Sequence, residues 1–151
     1  MNIGERSEDR VPNPIITPAM REAVGRAGTP RTAAIERGAI ARFAEAIGDP
    51  NPAYPDVAPP TFLRSLGGDV PDLPGAEALP RVLDGGSEWT YHAPVRPGNV
   101  ITAVTTLEAL AEREGRLGTM LIATYATDYT KEHGQLVATQ RSTTIRMGPA
   151  S

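Results

Sequence analysis

The chain has no cysteine in 151 residues, which excludes disulfides and thiolate metal sites. Histidine is nearly as scarce: His92 and His133 are the two, too few for a histidine metal cage. Basic residues are not in excess either. Fifteen Lys and Arg stand against 18 Asp and Glu, for a net charge of -3 and a pI near 5.4. Without a broad basic field, a nucleic acid or an anionic membrane surface is a poor partner. No run approaches the roughly twenty apolar residues of a membrane span, and the first thirty residues lack an apolar core of signal-peptide type. The expectation is a cytoplasmic protein in a reducing compartment, with no metal and no cofactor of its own. At this length one domain is expected, able to bury about 70% of its unfolded surface without a staple.

What is present is organised around Ile35 to Asp56. Ile40, Phe43, Ala44 and Ile47 recur at helical spacing, with Glu36, Arg37, Arg42 and Glu45 mainly on the other side, so a short amphipathic helix is predicted. Gly48 supplies a left-handed cap. In Asp49-Pro50-Asn51-Pro52, two prolines remove backbone donors and stiffen the loop that carries the Asp49 and Asn51 side chains.

Upstream, residues 1–24 read as an N-terminal arm and 25–151 as the folded domain. Residues 1–18 are polar and proline-punctuated, a segment that is frayed or lies on a partner. Thr17 and Pro18 carry the N-cap and first-position signals of a turn of helix. Arg31 to Ile35 is a short predicted strand. Downstream, Ala58-Pro59-Pro60-Thr61-Phe62-Leu63 reads as an extended Pro-Pro pair leading into a short apolar helix, and Gly67 to Leu79 as an irregular loop.

From Ser87 the texture is β. Ser87 to Val95 alternates, with Trp89, Tyr91, Ala93 and Val95 on one face. Arg96-Pro97-Gly98-Asn99 has a type II turn signature and is expected to return the chain into Val100 to Ala111. Thr119 to Tyr129 and Leu136 to Met147 follow, behind turns at Gly115 and Gly134. Four long strands in an antiparallel meander, one face covered by helices, give the class α+β.

The combination FAEAIGDPNPAY (Phe43 to Tyr54), APPTFL (Ala58 to Leu63), GGSEWTYHAPVRPGN (Gly85 to Asn99) and QLVATQRSTTIR (Gln135 to Arg146) resembles the MaoC-like hot-dog dehydratases and hydratases. More narrowly, it is similar to their FAS1-like, N-terminal-type dehydratase domain, over roughly Val24 to Met147. The resemblance implies a curved antiparallel sheet wrapped around a helix, paired with a second hot dog so that the two sheets become continuous. It implies reversible loss of water from a 3-hydroxyacyl thioester on coenzyme A or an acyl carrier protein. Such chemistry needs an acid/base pair and donors for the enolate oxygen.

Catalytic members of that family carry Gly-Asp-x-Asn-Pro-x-His. Gly48, Asp49, Asn51 and Pro52 match, but Tyr54 stands at the histidine position. A phenol with an ordinary pKa of about 10 is a poor base near neutral pH, where an imidazole at about 6.5 is poised. Asp49 and Tyr54 are therefore the catalytic candidates, with a structural reading of Asp49, as an acceptor of loop N–H groups, beside the catalytic one. Asn51, Pro60, Thr61, Phe62, Trp89 and Tyr91 are the substrate-binding candidates, although core packing would explain the apolar ones equally well. His92 reads as a sheet residue, His133 as a turn residue and Glu88 as an exposed acid. Asp84 stands where many members of that family have histidine. Arg96 and Arg116 are candidates for a carrier phosphate.

Three readings follow. In the first, the chain is the substrate-binding, catalytically incomplete half of a heterodimeric dehydratase or (R)-specific enoyl-thioester hydratase, beside a MaoC-like subunit bearing Asp and His. In the second it is a self-sufficient homodimeric hydratase using Asp49 with Tyr54 or His92. In the third it is a non-catalytic acyl-thioester-binding scaffold.

Overall fold

The computed structural model describes residues 14–150. The frame is a five-stranded antiparallel sheet made of β1 (Arg31–Ala34), β2 (Arg81–Tyr91), β3 (Val100–Gly115), β4 (Gly118–Lys131) and β5 (Gln135–Met147), in the order β1-β3-β4-β5-β2. Two helices accompany it, α1 (Pro18–Ala23) and α2 (Arg37–Ala46). Short 3-10 segments lie at Pro60–Ser65, Ala76–Ala78 and Glu132–Gly134.

Of the three central strands, β3 and β4 form because each alternates. Ile101, Ala103, Thr105 and Leu107 of β3 and Leu121, Ala123, Tyr125, Thr127 and Tyr129 of β4 point inward and are buried, with less buried residues between them. Thr105 and Thr127 close that layer by sharing a buried hydroxyl hydrogen bond of 2.7 Å. Helix α2 lies in the concavity: Ile40, fully buried, joins Phe62, Leu63, Ile101, Tyr129 and Val137 in one cluster that spans three strands. Full burial of a side chain of that size stabilises by roughly 1.5–3 kcal/mol. Ile47, placed on the same stripe by its spacing, is 47% exposed because the helix ends at Ala46.

A second cluster fills the other end of the sheet, where Met20 and Ala23 of α1 cover Leu107 and Leu121. Thr17 caps α1 through its hydroxyl, which accepts the Met20 N–H at 3.2 Å, and Pro18 opens the helix. The chain is thus built into the core from Ile16 onward, ahead of the boundary at residue 24 that composition suggested. The remainder of that arm, residues 1–13, lies outside the described residues.

One expectation is corrected. The turn at Arg96 to Asn99 forms, with Gly98 at φ +90 and the Asn99 N–H donating to Arg96 O, but it does not join two neighbouring strands. β2 pairs with β5, on the opposite side of the sheet from β1, so the meander holds only for β3, β4 and β5. β2 also starts at Arg81 and stops at Tyr91, earlier at both ends than the alternation indicated. It stops because the His92 and Ala93 N–H groups both turn to Val137 O, at 2.8 and 3.2 Å, which breaks the period-2 register. Among the described residues the outer edge of β2 is unpaired, and Val82, Leu83 and Tyr91 are 49%, 52% and 45% exposed along it.

Candidate functional site

Helix α2 ends in a Schellman arrangement. The Asp49 N–H donates to Ala44 O at 3.1 Å and the Gly48 N–H to Glu45 O at 3.0 Å, with Gly48 at φ +67. This pins Asp49 one residue beyond the cap. Its Oδ1 accepts the Asn51 N–H at 3.0 Å, and Asn51 Oδ1 accepts the Ala53 N–H at 3.0 Å, two successive Asx turns that carry the chain to Tyr54. The Tyr54 hydroxyl then donates back to Asp49 Oδ2 at 3.4 Å. Each carboxylate oxygen thus accepts one hydrogen bond from the loop itself.

This geometry holds Tyr54 as a neutral phenol. Desolvation pushes its pKa above the ordinary value; the charge of Asp49 and the hydrogen bond to it push the same way, against a smaller opposing bond to Asn51. It is a weaker base-former than a free tyrosine. Any proton it handles near neutral pH is one it donates.

Beyond the loop opens a cleft of about 460 Å³. One wall is Asn51, Tyr54 and the stretch from Val57 to Pro60; the other is the chain from Tyr91 to Val95. Two hydrogen bonds fix the walls to each other: the Ala58 N–H donates to Val95 O at 2.8 Å, and the Tyr91 hydroxyl donates to Pro60 O at 3.1 Å. Tyr91 stacks on Trp89 with ring centroids 5.7 Å apart, and Trp89 on Tyr129 at 5.6 Å. The lining is mainly apolar with few polar atoms, the character of a site for a small organic substrate.

The candidate residues divide. Asn51, Tyr54, Pro60 and Tyr91 share this cleft. Asp49 lies just behind it, in a shallower hollow with Pro50, Pro52 and Tyr54. Thr61 and Trp89 face an adjoining cavity of about 390 Å³ with Phe43 and Gln140. Phe62 lines neither: it is 4% exposed and packs edge-on against Phe43 in the core. His92, read from sequence as a sheet residue, lines the cleft together with Tyr54. The signal for it was the Pro94 that follows, since proline cannot continue a paired strand. The apolar wall at Val57 and Ala58 carries no periodicity that would have marked it.

Other sequence candidates fall elsewhere. Arg96 adjoins the cleft residue Val95, whereas Arg116 sits beyond the far end of β3, a strand about 50 Å long at 3.3 Å per residue, so the two do not share a site. Asp84 Oδ1 accepts the Gly86 N–H at 2.8 Å and shapes the bulge between Asp84 and Ser87. Glu88 lies opposite Arg141, itself bonded to Glu108 at 2.9 Å. Among the described residues no group of three His, Asp or Glu is placed to hold a metal ion, and no helix is long and apolar enough to cross a membrane.

An antiparallel sheet curled around a short helix, with a cleft opening beside the loop after that helix, makes this a hot-dog domain. The same fold is found in a chain of the ChsH1-ChsH2 complex of Mycobacterium tuberculosis, with a TM-score of 0.71 at 22% identity over 83% of this chain and 86% of that one. A MaoC-like dehydratase of Rhodospirillum rubrum aligns with a TM-score of 0.64 at 21% identity, covering 84% and 94%. The HadBC (3R-hydroxyacyl-ACP dehydratase) complex of M. tuberculosis gives 0.63 at 20%, covering 82% and 96%. The chain belongs to the FAS1-like dehydratase domain family of MaoC-like hot dogs, whose dehydratase domain region matches residues 22–140. A UPF0336 protein of Streptomyces coelicolor is 37% identical over 111 residues, 61% of this chain and 73% of that protein.

Proposed function

We propose that the chain is the substrate-binding, catalytically incomplete half of a heterodimeric 3-hydroxyacyl-thioester dehydratase, equivalently an (R)-specific enoyl-thioester hydratase. Its partner is a second MaoC-like hot dog that carries the Asp and His of the family loop. The acyl group travels on coenzyme A or an acyl carrier protein, and the reaction is loss or addition of water across the bond between C2 and C3. The single observation behind this is Tyr54, a phenol at the place of the family's imidazole, held protonated beside an Asp49 whose two oxygens already serve the loop.

Abstraction of a weakly acidic C2 proton is helped by an imidazole poised near neutral pH, and the Tyr54 phenol at that place does not supply one. What the chain does supply is a walled apolar cleft of about 460 Å³ and an unpaired edge on β2, eleven residues long, with apolar side chains exposed along it. An edge of that length invites pairing with another strand. The HadBC and ChsH1-ChsH2 relatives in fold are two-component complexes by name.

Co-expression with a MaoC-type subunit bearing Asp and His, followed by size exclusion and hydration of crotonyl-CoA, tests the division of labour. A stable 1:1 species that hydrates the substrate is expected, and neither this chain alone nor its Tyr54→Phe variant should do so. A second reading has one observation in its favour, the presence of His92 in the same cleft as Tyr54. If His92 is a base in a self-sufficient homodimer, the pure chain is active and His92→Gln abolishes that activity.

A further inference from the structure

The concave face between β2 and β5 holds a second cavity, about 460 Å³, that the cleft does not use. Two cations enter it from different elements: Arg146 near the end of β5, and Arg64 on the 3-10 turn Pro60–Ser65. Neither forms an ion pair with a described residue. The ion pairs among the described residues are Arg31 with Asp69, Arg37 with Asp56 and Arg141 with Glu108. Asp84 lines the same wall, but it lies outside ion-pair distance of both guanidinium groups and its Oδ1 already accepts the Gly86 N–H.

Arg146 carries the distinguishing feature. Its Nε is fully buried and has no hydrogen-bond partner, alone in this respect among side-chain nitrogens and oxygens of the described residues. A guanidinium presents five N–H donors in a fixed fork and no acceptor; with Nε closed off from the cavity, the Nη groups, which are neither hydrogen-bonded nor buried, are the donors that an incoming oxyanion reaches. The register puts Arg146 opposite Val82 on β2 and opposite Leu121 on β4. Ser142 and Thr144 lie on the same wall, and Ser87 Oγ accepts from Gln140 Nε2 at 3.0 Å, which leaves its own proton to donate.

The cavity also has a direction. It shares Arg64, Asp84 and Ser87 with the neighbouring cavity at Thr61 and Trp89, so the two form one groove along β2, polar at Arg146 and aromatic at Trp89. Val70 and Val82, 64% and 49% exposed, add apolar surface at the polar end.

We infer that this groove is an oxyanion-binding site, in which Arg146 and Arg64 grip a carboxylate or phosphate whose apolar stem lies toward Trp89. The oxyanion grip at Arg146 and Arg64 lies outside the Asp49 and Tyr54 loop, so titration of the chain alone reads it separately from the dehydratase reading, which shares only the Thr61 and Trp89 end of the groove.

The test is an NMR titration of the full chain, following the arginine Nε–Hε signals, with octanoate, octyl phosphate and octanol as probes. Octanoate, octyl phosphate or both should shift the Arg146 signal, identified by its loss in Arg146→Lys, and octanol should leave it in place. Comparison of the two anions tells which group the site prefers. Arg64 is exposed, so Arg64→Gln keeps the fold and should weaken anion binding at least fivefold. The proposal is overturned if neither anion moves the signal, or if octanol moves it equally. It is also overturned if the signal shifts with protein concentration and ignores anions, which would mean that a carboxylate of a second copy fills the site.

Discussion

The hydroxyl of Tyr54 points at Asp49 and donates to its Oδ2 across 3.4 Å, while the other oxygen of that carboxylate takes the Asn51 N–H. A side chain that would be half of a proton relay is thereby turned into a loop brace. Replacing the phenol with an imidazole should restore the relay in part. Tyr54→His in the pure chain is expected to raise crotonyl-CoA hydration by on the order of 10²-fold over the wild-type background, the low end of what a positioned acid or base contributes. A stopped assay at pH 7.5 measures it. Because the Tyr54 pKa is raised, no inflection from this phenol should appear in the pH–rate profile of the assembled enzyme below pH 10.

Tyr129 provides a pH-dependent stability signal. It is fully buried, its hydroxyl reaches Gln140 Oε1 at 3.3 Å, and burial pushes its pKa up to about 12. Because the folded chain holds this proton more tightly than the unfolded chain does, the contribution is complete below pH 10. It is lost as pH rises from 10 to about 12. Urea midpoints measured across that window should fall in the wild type and fall less in Tyr129→Phe.

Ile40 anchors α2 in the concavity with no exposed surface. Ile40→Ala should cost about 2–5 kcal/mol of unfolding free energy, through lost transfer and the cavity left behind. Equilibrium urea denaturation reads this directly. Arg42→Ala, on the exposed side of the same helix, should change it by less than about 0.5 kcal/mol.

Much of this architecture is legible residue by residue. The alternation through Ile101 to Leu107 and Leu121 to Tyr129 marks β3 and β4, and the Ile40, Phe43, Ala44 spacing followed by Gly48 marks α2 and its end. The place of β2 is not legible, because its partner is β5, about fifty residues later, and a turn signature at Arg96 to Asn99 is local information that says nothing about such pairing. The site divides along the same line. The Asp49 and Tyr54 loop is visible as a motif, since its geometry is set by neighbours in sequence. The far wall from Tyr91 to Val95 becomes a wall only because Val137 captures two of its N–H groups and Ala58 bonds Val95. Phe62 looks like a pocket residue until Phe43 is placed against it. Arg146 is visible as the end of a motif but gains a role only once the strands set its guanidinium, free of any ion pair among the described residues, on a cavity wall.

Trp89 is the single tryptophan and lies in the stack between Tyr91, which lines the cleft, and Tyr129. Its fluorescence should therefore report ligand entry. Acyl-CoA added to the heterodimer is expected to change the emission saturably when the partner is a Trp-free variant, and Tyr91→Ala should weaken the effect by breaking the stack.

The central claim meets its most direct test in one comparison of turnover numbers for crotonyl-CoA hydration: this chain pure, against the same chain assembled with an Asp- and His-bearing MaoC subunit. The account predicts no turnover above background from the pure chain and full activity from the assembly. Rapid turnover by the pure chain, persisting in a preparation free of any second subunit, would contradict it.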